Sequence, residues 1–162
     1  MPYVESHFHT CAEDVTPEAF QASRAHRAFG GFSLGAVTTW YQFIYNLDFI
    51  QYFLPISGDC WIMGTYGGRY YPVETVDHLE NMLAGAGYAE DDFRIYQGIG
   101  TDDPIWDQTD SQIQEMFTRS AFTPENLHYA IIEGGRHDMD ACERYLYHGL
   151  QDFFGEEAQV ED

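Results

Sequence analysis

In Ala28-Phe29-Gly30-Gly31-Phe32-Ser33-Leu34-Gly35 a short apolar run stops abruptly at a serine set between glycines. Behind it, Val37 to Leu47 is apolar on nearly every side, as a helix buried behind a sheet must be. Gly31-Phe32-Ser33-Leu34-Gly35 fits the pattern Gly-x-Ser-x-Gly, in which the serine occupies a strained strand-to-helix turn that only small neighbours tolerate. A match to so short a pattern can arise by chance, but the strand-like run before Ser33 and the apolar helix after it are the setting it requires. A strand over 28–32, a sharp turn at Ser33 and a helix through 37–47 are therefore predicted.

Working outward, Thr16-Pro17-Glu18 opens a helix running toward His26, with Thr16 able to cap it and Pro17 at its first position. Downstream, Tyr52 to Ser57, Phe93 to Gly100 and Leu127 to Ile132 read as three further strands, Pro55 arguing against the first. Helical stretches around Val76 to Leu83, Ser111 to Arg119 and Met139 to Phe154 lie between and after them. This strand-helix alternation predicts an α/β fold, a mostly parallel sheet flanked by helices. Ligands of such sheets bind at the carboxyl ends of the strands, so functional side chains should follow strands directly.

A serine hydroxyl is a weak nucleophile at neutral pH and needs a neighbouring base, usually a histidine held in one tautomer by a carboxylate. His137 follows the last strand and the turn Glu133-Gly134-Gly135-Arg136, whereas His7, His9, His26, His78, His128 and His148 lack such a position. Gly100-Thr101-Asp102-Asp103-Pro104 supplies two carboxylates after the preceding strand, and the spacing does not choose between Asp102 and Asp103. The order Ser…Asp…His is that of the α/β-hydrolases and differs from that of chymotrypsin-like and subtilisin-like proteases. The backbone N–H of Leu34, next after the serine, is the natural first donor of an oxyanion hole.

The rest of the chain narrows the alternatives. At 162 residues it is long enough for one core, and no Pro/Gly/Ser-rich linker divides it, so residues 1–162 are expected to form a single domain ending in an acidic tail at 155–162. Twenty-seven acidic against seven basic residues leave a formal charge of −20, which disfavours nucleic acid and anionic membrane surfaces as partners. No stretch is apolar enough to span a bilayer, and the first residues lack the plan of a signal peptide. Cys11, Cys60 and Cys142 are odd in number and widely spaced, so neither a disulfide framework nor a thiol-rich zinc site is indicated. The one rival constellation is His7-Phe8-His9-Thr10-Cys11, where an extended strand would present two imidazoles and a thiol on one face to a metal, with no fourth ligand evident. Aromatic residues make up 17% of the chain, which suits a pocket for a flat or ring-bearing ligand.

Two blocks, Gly30-Gly31-Phe32-Ser33-Leu34-Gly35-Ala36-Val37-Thr38-Thr39-Trp40-Tyr41 and Leu54-Pro55-Ile56-Ser57-Gly58-Asp59-Cys60-Trp61, resemble carbohydrate esterase family 1, particularly the feruloyl esterase domains attached to bacterial xylanases. The resemblance runs from about Pro2 to Phe154. It implies an α/β-hydrolase-like fold in which Ser33 is the nucleophile, Asp103 the acid and His137 the base, and it is this resemblance that selects Asp103. It also implies that Asp59 and Trp61 line the acyl pocket, and that no metal or organic cofactor is used. Ala36 departs from the pattern, where the family often has a further glycine. The family's domains start with several strands before the helix at Thr16, so the chain is expected to lack the N-terminal strands and the loop that supplies the second oxyanion donor.

The activity so implied is hydrolysis of carboxylic esters, releasing hydroxycinnamates such as ferulate from arabinoxylan or related small aromatic esters. Acetyl esterase or acyltransferase chemistry on the same fold, and an inactive carbohydrate-binding remnant, are the alternatives. An uncovered nucleophile strand would leave an open sheet edge through which the chain could form a homo-oligomer. The family resemblance implies secretion.

Overall fold

The computed structural model describes residues 2–155; all of the acidic tail but Gly155 lies outside them. Four strands, β1 (Ala28–Phe32), β2 (Tyr52–Ile56), β3 (Arg94–Gly100) and β4 (Leu127–Ile132), form one sheet in the order β1-β2-β3-β4. Every neighbouring pair is parallel, so all four carboxyl ends lie along one edge of the sheet. The segments that follow them, beginning at Ser33, Ser57, Thr101 and Glu133, converge there.

Alternation along the strands divides the core in two. Phe53 and Ile95 point to the face covered by helices α3 (Leu34–Asn46), α5 (Pro72–Ala86) and α6 (Trp106–Met116), where they meet Trp40, Phe43, Leu79 and Ile113. Leu54, Ile56 and Tyr96 point the other way, onto α7 (Met139–Phe154) through Cys142, Tyr145 and Phe153. Full burial of each large apolar side chain is worth about 1.5–3 kcal/mol, which makes the larger cluster around α3 the main source of cohesion.

Pro55 sits inside β2 in spite of the argument against it. It lies opposite Gly31 of β1, and the ladder between β2 and β3 passes from Phe53↔Ile95 to Ile56↔Gly98 without pairing Leu54 or Pro55. The missing N–H of proline falls in that gap.

The remaining departures from the expected elements have local causes. The helix after Ser33 starts at Leu34, three residues before the continuous apolar run. The helix expected at 76–83 is longer, since Pro72 occupies its first position and Gly87, at φ 78°, closes its end. The helix expected at 111–119 begins at Trp106 and ends at Met116; its start has no side-chain cap and so left no mark in the sequence. The first helix expected, α2 (Pro17–Ala22), is capped by Thr16 as anticipated but gives way to a 3-10 turn over Arg24–His26. Two short helices, α1 (Pro2–His7) and α4 (Gly67–Tyr70), were not anticipated. Because α1 is helical through His7, the extended arrangement needed for a His7, His9 and Cys11 metal site does not form, and no cluster of three or more ligating groups occurs among the described residues.

Candidate active site

Ser33 takes φ 59° and ψ −117°, one of three non-glycine residues with positive φ among those described. Its N–H donates to the Ile56 carbonyl at 2.9 Å, and its own carbonyl accepts from Ala36 and Val37. The turn is thus pinned to β2 on one side and to the first turn of α3 on the other. A Cβ at Gly31 would lie 2.6 Å from the Gly35 backbone, so the helix can approach the strand this closely only over a glycine. A Cβ at Gly35 would meet nothing within 4 Å. Ala36, the departure from the family pattern, is fully buried and faces Gly58, where a Cβ would come within 2.6 Å of the Ala36 Cβ.

The sheet brings three of the anticipated residues into one hydrogen-bonded line. His137 Nε2 lies 2.9 Å from Ser33 Oγ, and His137 Nδ1 lies 2.9 Å and 3.1 Å from the two carboxylate oxygens of Asp103. The Asp103 side chain is fully buried and also accepts from the Ile105 N–H at 2.9 Å. Asp102 is exposed and shares no hydrogen bond with the imidazole; its backbone N–H donates to the Gly135 carbonyl. The Phe32 ring lies tilted against the His137 ring, with centroids 4.5 Å apart and planes at 34°. An Nδ1–H donated to Asp103 leaves the Nε2 lone pair facing the serine hydroxyl, the tautomer a general base needs.

Beside the serine lies a cleft of about 230 Å³. Besides Ser33 and His137, its walls include Leu34, Asp59, Trp61, Tyr66 and Ile105. Leu34 opens α3, so its N–H has no acceptor within the helix and is available at the turn. Asp59, 2% exposed, has both oxygens occupied inside the protein, by Trp61 Nε1 at 2.9 Å and by the Gly68 N–H at 2.8 Å. Burial pushes its carboxyl above the usual range, with the two hydrogen bonds opposing that shift. Asp59 therefore lines the cleft while its charge is spent on neighbours within the protein. Tyr66 was not anticipated; its φ of 58° and the glycine at 64, at φ 119°, mark a tight turn, but nothing local aims that turn at Ser33.

No protein-family profile matches the chain. Endo-1,4-beta-xylanase Y of Acetivibrio thermocellus is 33% identical to it in an alignment of 162 positions that covers 96% of this chain and 14% of the xylanase. The solved structure of a serine-to-alanine mutant of the feruloyl esterase module from Clostridium thermocellum, complexed with sinapinate, superposes with a TM-score of 0.86 at 29% identity. It covers 99% of this chain, and the chain spans 56% of that module. A further solved structure, of a protein abbreviated FAE, gives the same values. In sequence and in fold the chain is thus similar to the feruloyl esterase module, with an α/β-hydrolase-like parallel sheet flanked by helices.

Proposed function

We propose that the chain acts as a serine carboxylic ester hydrolase with Ser33 as nucleophile, His137 as general base and Asp103 as its orienting acid. The observation that carries this reading is the continuous line from Asp103 through His137 to Ser33, at 2.9 Å on each side of the imidazole. Ser33 Oγ attacks the ester carbonyl as His137 Nε2 takes its proton, and the tetrahedral oxyanion forms near the Leu34 N–H. The imidazolium, steadied by the buried Asp103 carboxylate, then gives that proton to the departing alcohol oxygen. Water repeats the sequence on the acyl-enzyme, releasing the acid and restoring the serine.

The substrates proposed are hydroxycinnamate esters, ferulate esterified to arabinoxylan among them. Supporting this are the relatedness to the feruloyl esterase module, whose structure carries sinapinate, the similarity to a xylanase, and the aromatic wall of the cleft. An insoluble polysaccharide cannot enter a cell, so secretion accompanies the proposal. We further propose that the open edge of β1, at one end of the sheet, pairs with a second copy.

The test is ferulate release from methyl ferulate, followed beside hydrolysis of p-nitrophenyl acetate, for the chain and for Ser33→Ala. Both activities are expected to fall by at least about 10³-fold in the variant. Ferulate release that survives the substitution would overturn the assignment of the nucleophile, and a chain that cleaves the acetyl ester alone would overturn the aromatic substrate.

A further inference from the structure

We propose that Tyr66 is a specificity-determining residue that forms, with Trp61, an aromatic corner for the ring of the acyl group, and that Asp59 is the positioning residue that holds this corner together. The proposal deepens the esterase reading above and rests on it.

Three independent observations meet at this place. The Trp61 and Tyr66 rings stand edge to face, with centroids 5.5 Å apart and planes at 78°, and both line the cleft that contains Ser33 and His137. Two rings at this angle offer a planar ligand one face to stack on and one edge to abut, a geometry that rewards an aromatic acyl group and does nothing for an acetyl group. Tyr66 is also held in the left-handed region, at φ 58° and ψ 40°, which is unfavourable for a non-glycine residue. The other two non-glycine residues with positive φ among those described are Ser33 and Ser57, each directly after a strand at the same sheet edge. Ser33 and Tyr66 line the cleft and Ser57 directly precedes Gly58, which also lines it, so the strained positions lie at or next to the cleft.

The third observation is the Asp59 carboxylate. One oxygen accepts from Trp61 Nε1 at 2.9 Å, and the other accepts from the N–H of Gly68, two residues past Tyr66, at 2.8 Å. A single buried side chain thereby ties the tryptophan ring to the segment that carries the tyrosine. The approach depends on Gly68: a Cβ there would lie 2.9 Å from the Asp59 Cβ and would collide with the Gln108 carbonyl. The Tyr41 hydroxyl donates to the Trp61 carbonyl at 3.2 Å, fixing the same residue from α3. Keeping a carboxylate charged at such burial is unfavourable by itself, and its two acceptor bonds are what it delivers in return. An amide at this position would turn its NH₂ toward one of two N–H donors, so Asp59→Asn releases one half of the corner while preserving shape.

The quantity that reads this is the ratio of kcat/KM for methyl ferulate to kcat/KM for p-nitrophenyl acetate. Tyr66→Ala and Asp59→Asn are each expected to lower the ratio about tenfold, through a higher KM for the feruloyl ester, and Tyr66→Phe to keep it within about twofold. Parallel loss on both esters, or an unchanged ratio in Tyr66→Ala, would overturn the corner. Asp59 is buried, so Asp59→Asn is checked for folding by circular dichroism; should it unfold, the half-exposed Tyr66 decides alone. Should the unsubstituted chain cleave no ester, ferulate binding followed by quenching of tryptophan fluorescence replaces the kinetics. Binding lost in Tyr66→Ala and kept in Tyr66→Phe then upholds the corner while the hydrolase reading fails, and absent or equal binding in all three overturns it.

Discussion

Gly31 and Gly35 look equivalent in a Gly-x-Ser-x-Gly pattern, yet they serve different physical ends here. Gly31 is where the strand and the first turn of α3 touch, and any Cβ would be driven into the Gly35 backbone; Gly35 itself has open space beside it. Gly31→Ala is expected to lower stability by several kcal/mol, or to abolish folding, because the obstructing atoms are backbone that cannot step aside. Gly35→Ala should change stability by less than about 1 kcal/mol and in the favourable direction, since alanine is the better helix former. Urea unfolding of the two variants checks this, and equal losses would mean that the turn constrains both glycines alike. At this same scale Asp102 and Asp103 differ by one position in sequence and wholly in environment. Thr101 and Asp102 are tied by their N–H groups to the Ile132 and Gly135 carbonyls, and the following residue is the one turned inward to His137.

Among the elements, α7 bears directly on the base, since it starts two residues after His137. Asp138 caps it, its carboxylate accepting from the Ala141 N–H at 3.0 Å, and Thr16 caps α2 in the same way at 3.2 Å. Removal of such a cap costs about 1 kcal/mol, or roughly 2–4 °C in Tm for a chain of this length. Asp138→Ala and Thr16→Ala should therefore lose similar stability. Only Asp138→Ala should also lower kcat for ester hydrolysis, by about threefold to tenfold, because the loosened helix start lets the His137 imidazole leave its line to Ser33. Equal activity in the two variants would show that the histidine is positioned by Asp103 and Phe32 alone. Elements whose ends carry such chemistry were legible in advance: Thr16-Pro17 for α2, the apolar run for β1, the late strand before His137. Where the local signal was absent, less was legible: α6 was expected but its start was misplaced, because no side chain caps it, and α4, four residues built on two glycines, was not anticipated.

At the scale of the molecule, the edge of β1, which pairs with no further strand among the described residues, and a charge of −20 pull in opposite directions. The β1 edge offers backbone groups that no described strand pairs, and next to it Leu54 and Ile56 continue into Leu146 and Leu150 of α7 as an apolar groove. Like charge on two copies resists their approach, and salt screens it over about 8 Å at physiological ionic strength. Dimerisation through the edge should strengthen as sodium chloride is raised, and Ala28→Lys, which sets a charge on the exposed start of β1, should weaken it. Sedimentation velocity across a salt series reads both; a monomer at every salt concentration would exclude pairing through this edge.

The amino-acid sequence alone determined the parallel strand-helix alternation, the strained serine turn, and the kinds of residue that follow each strand, because periodicity and backbone sterics act within a few residues. Only the tertiary structure decided which groups meet. Ser33 and His137 are 104 residues apart and His137 and Asp103 are 34 apart, so their contact depends on the register of four strands. The closing of Asp59 onto Trp61 and Gly68, and the aiming of Tyr66 at the cleft, were hidden for a related reason. They depend on how α4, α5 and α6 pack beyond the sheet edge, which no local pattern of residues encodes.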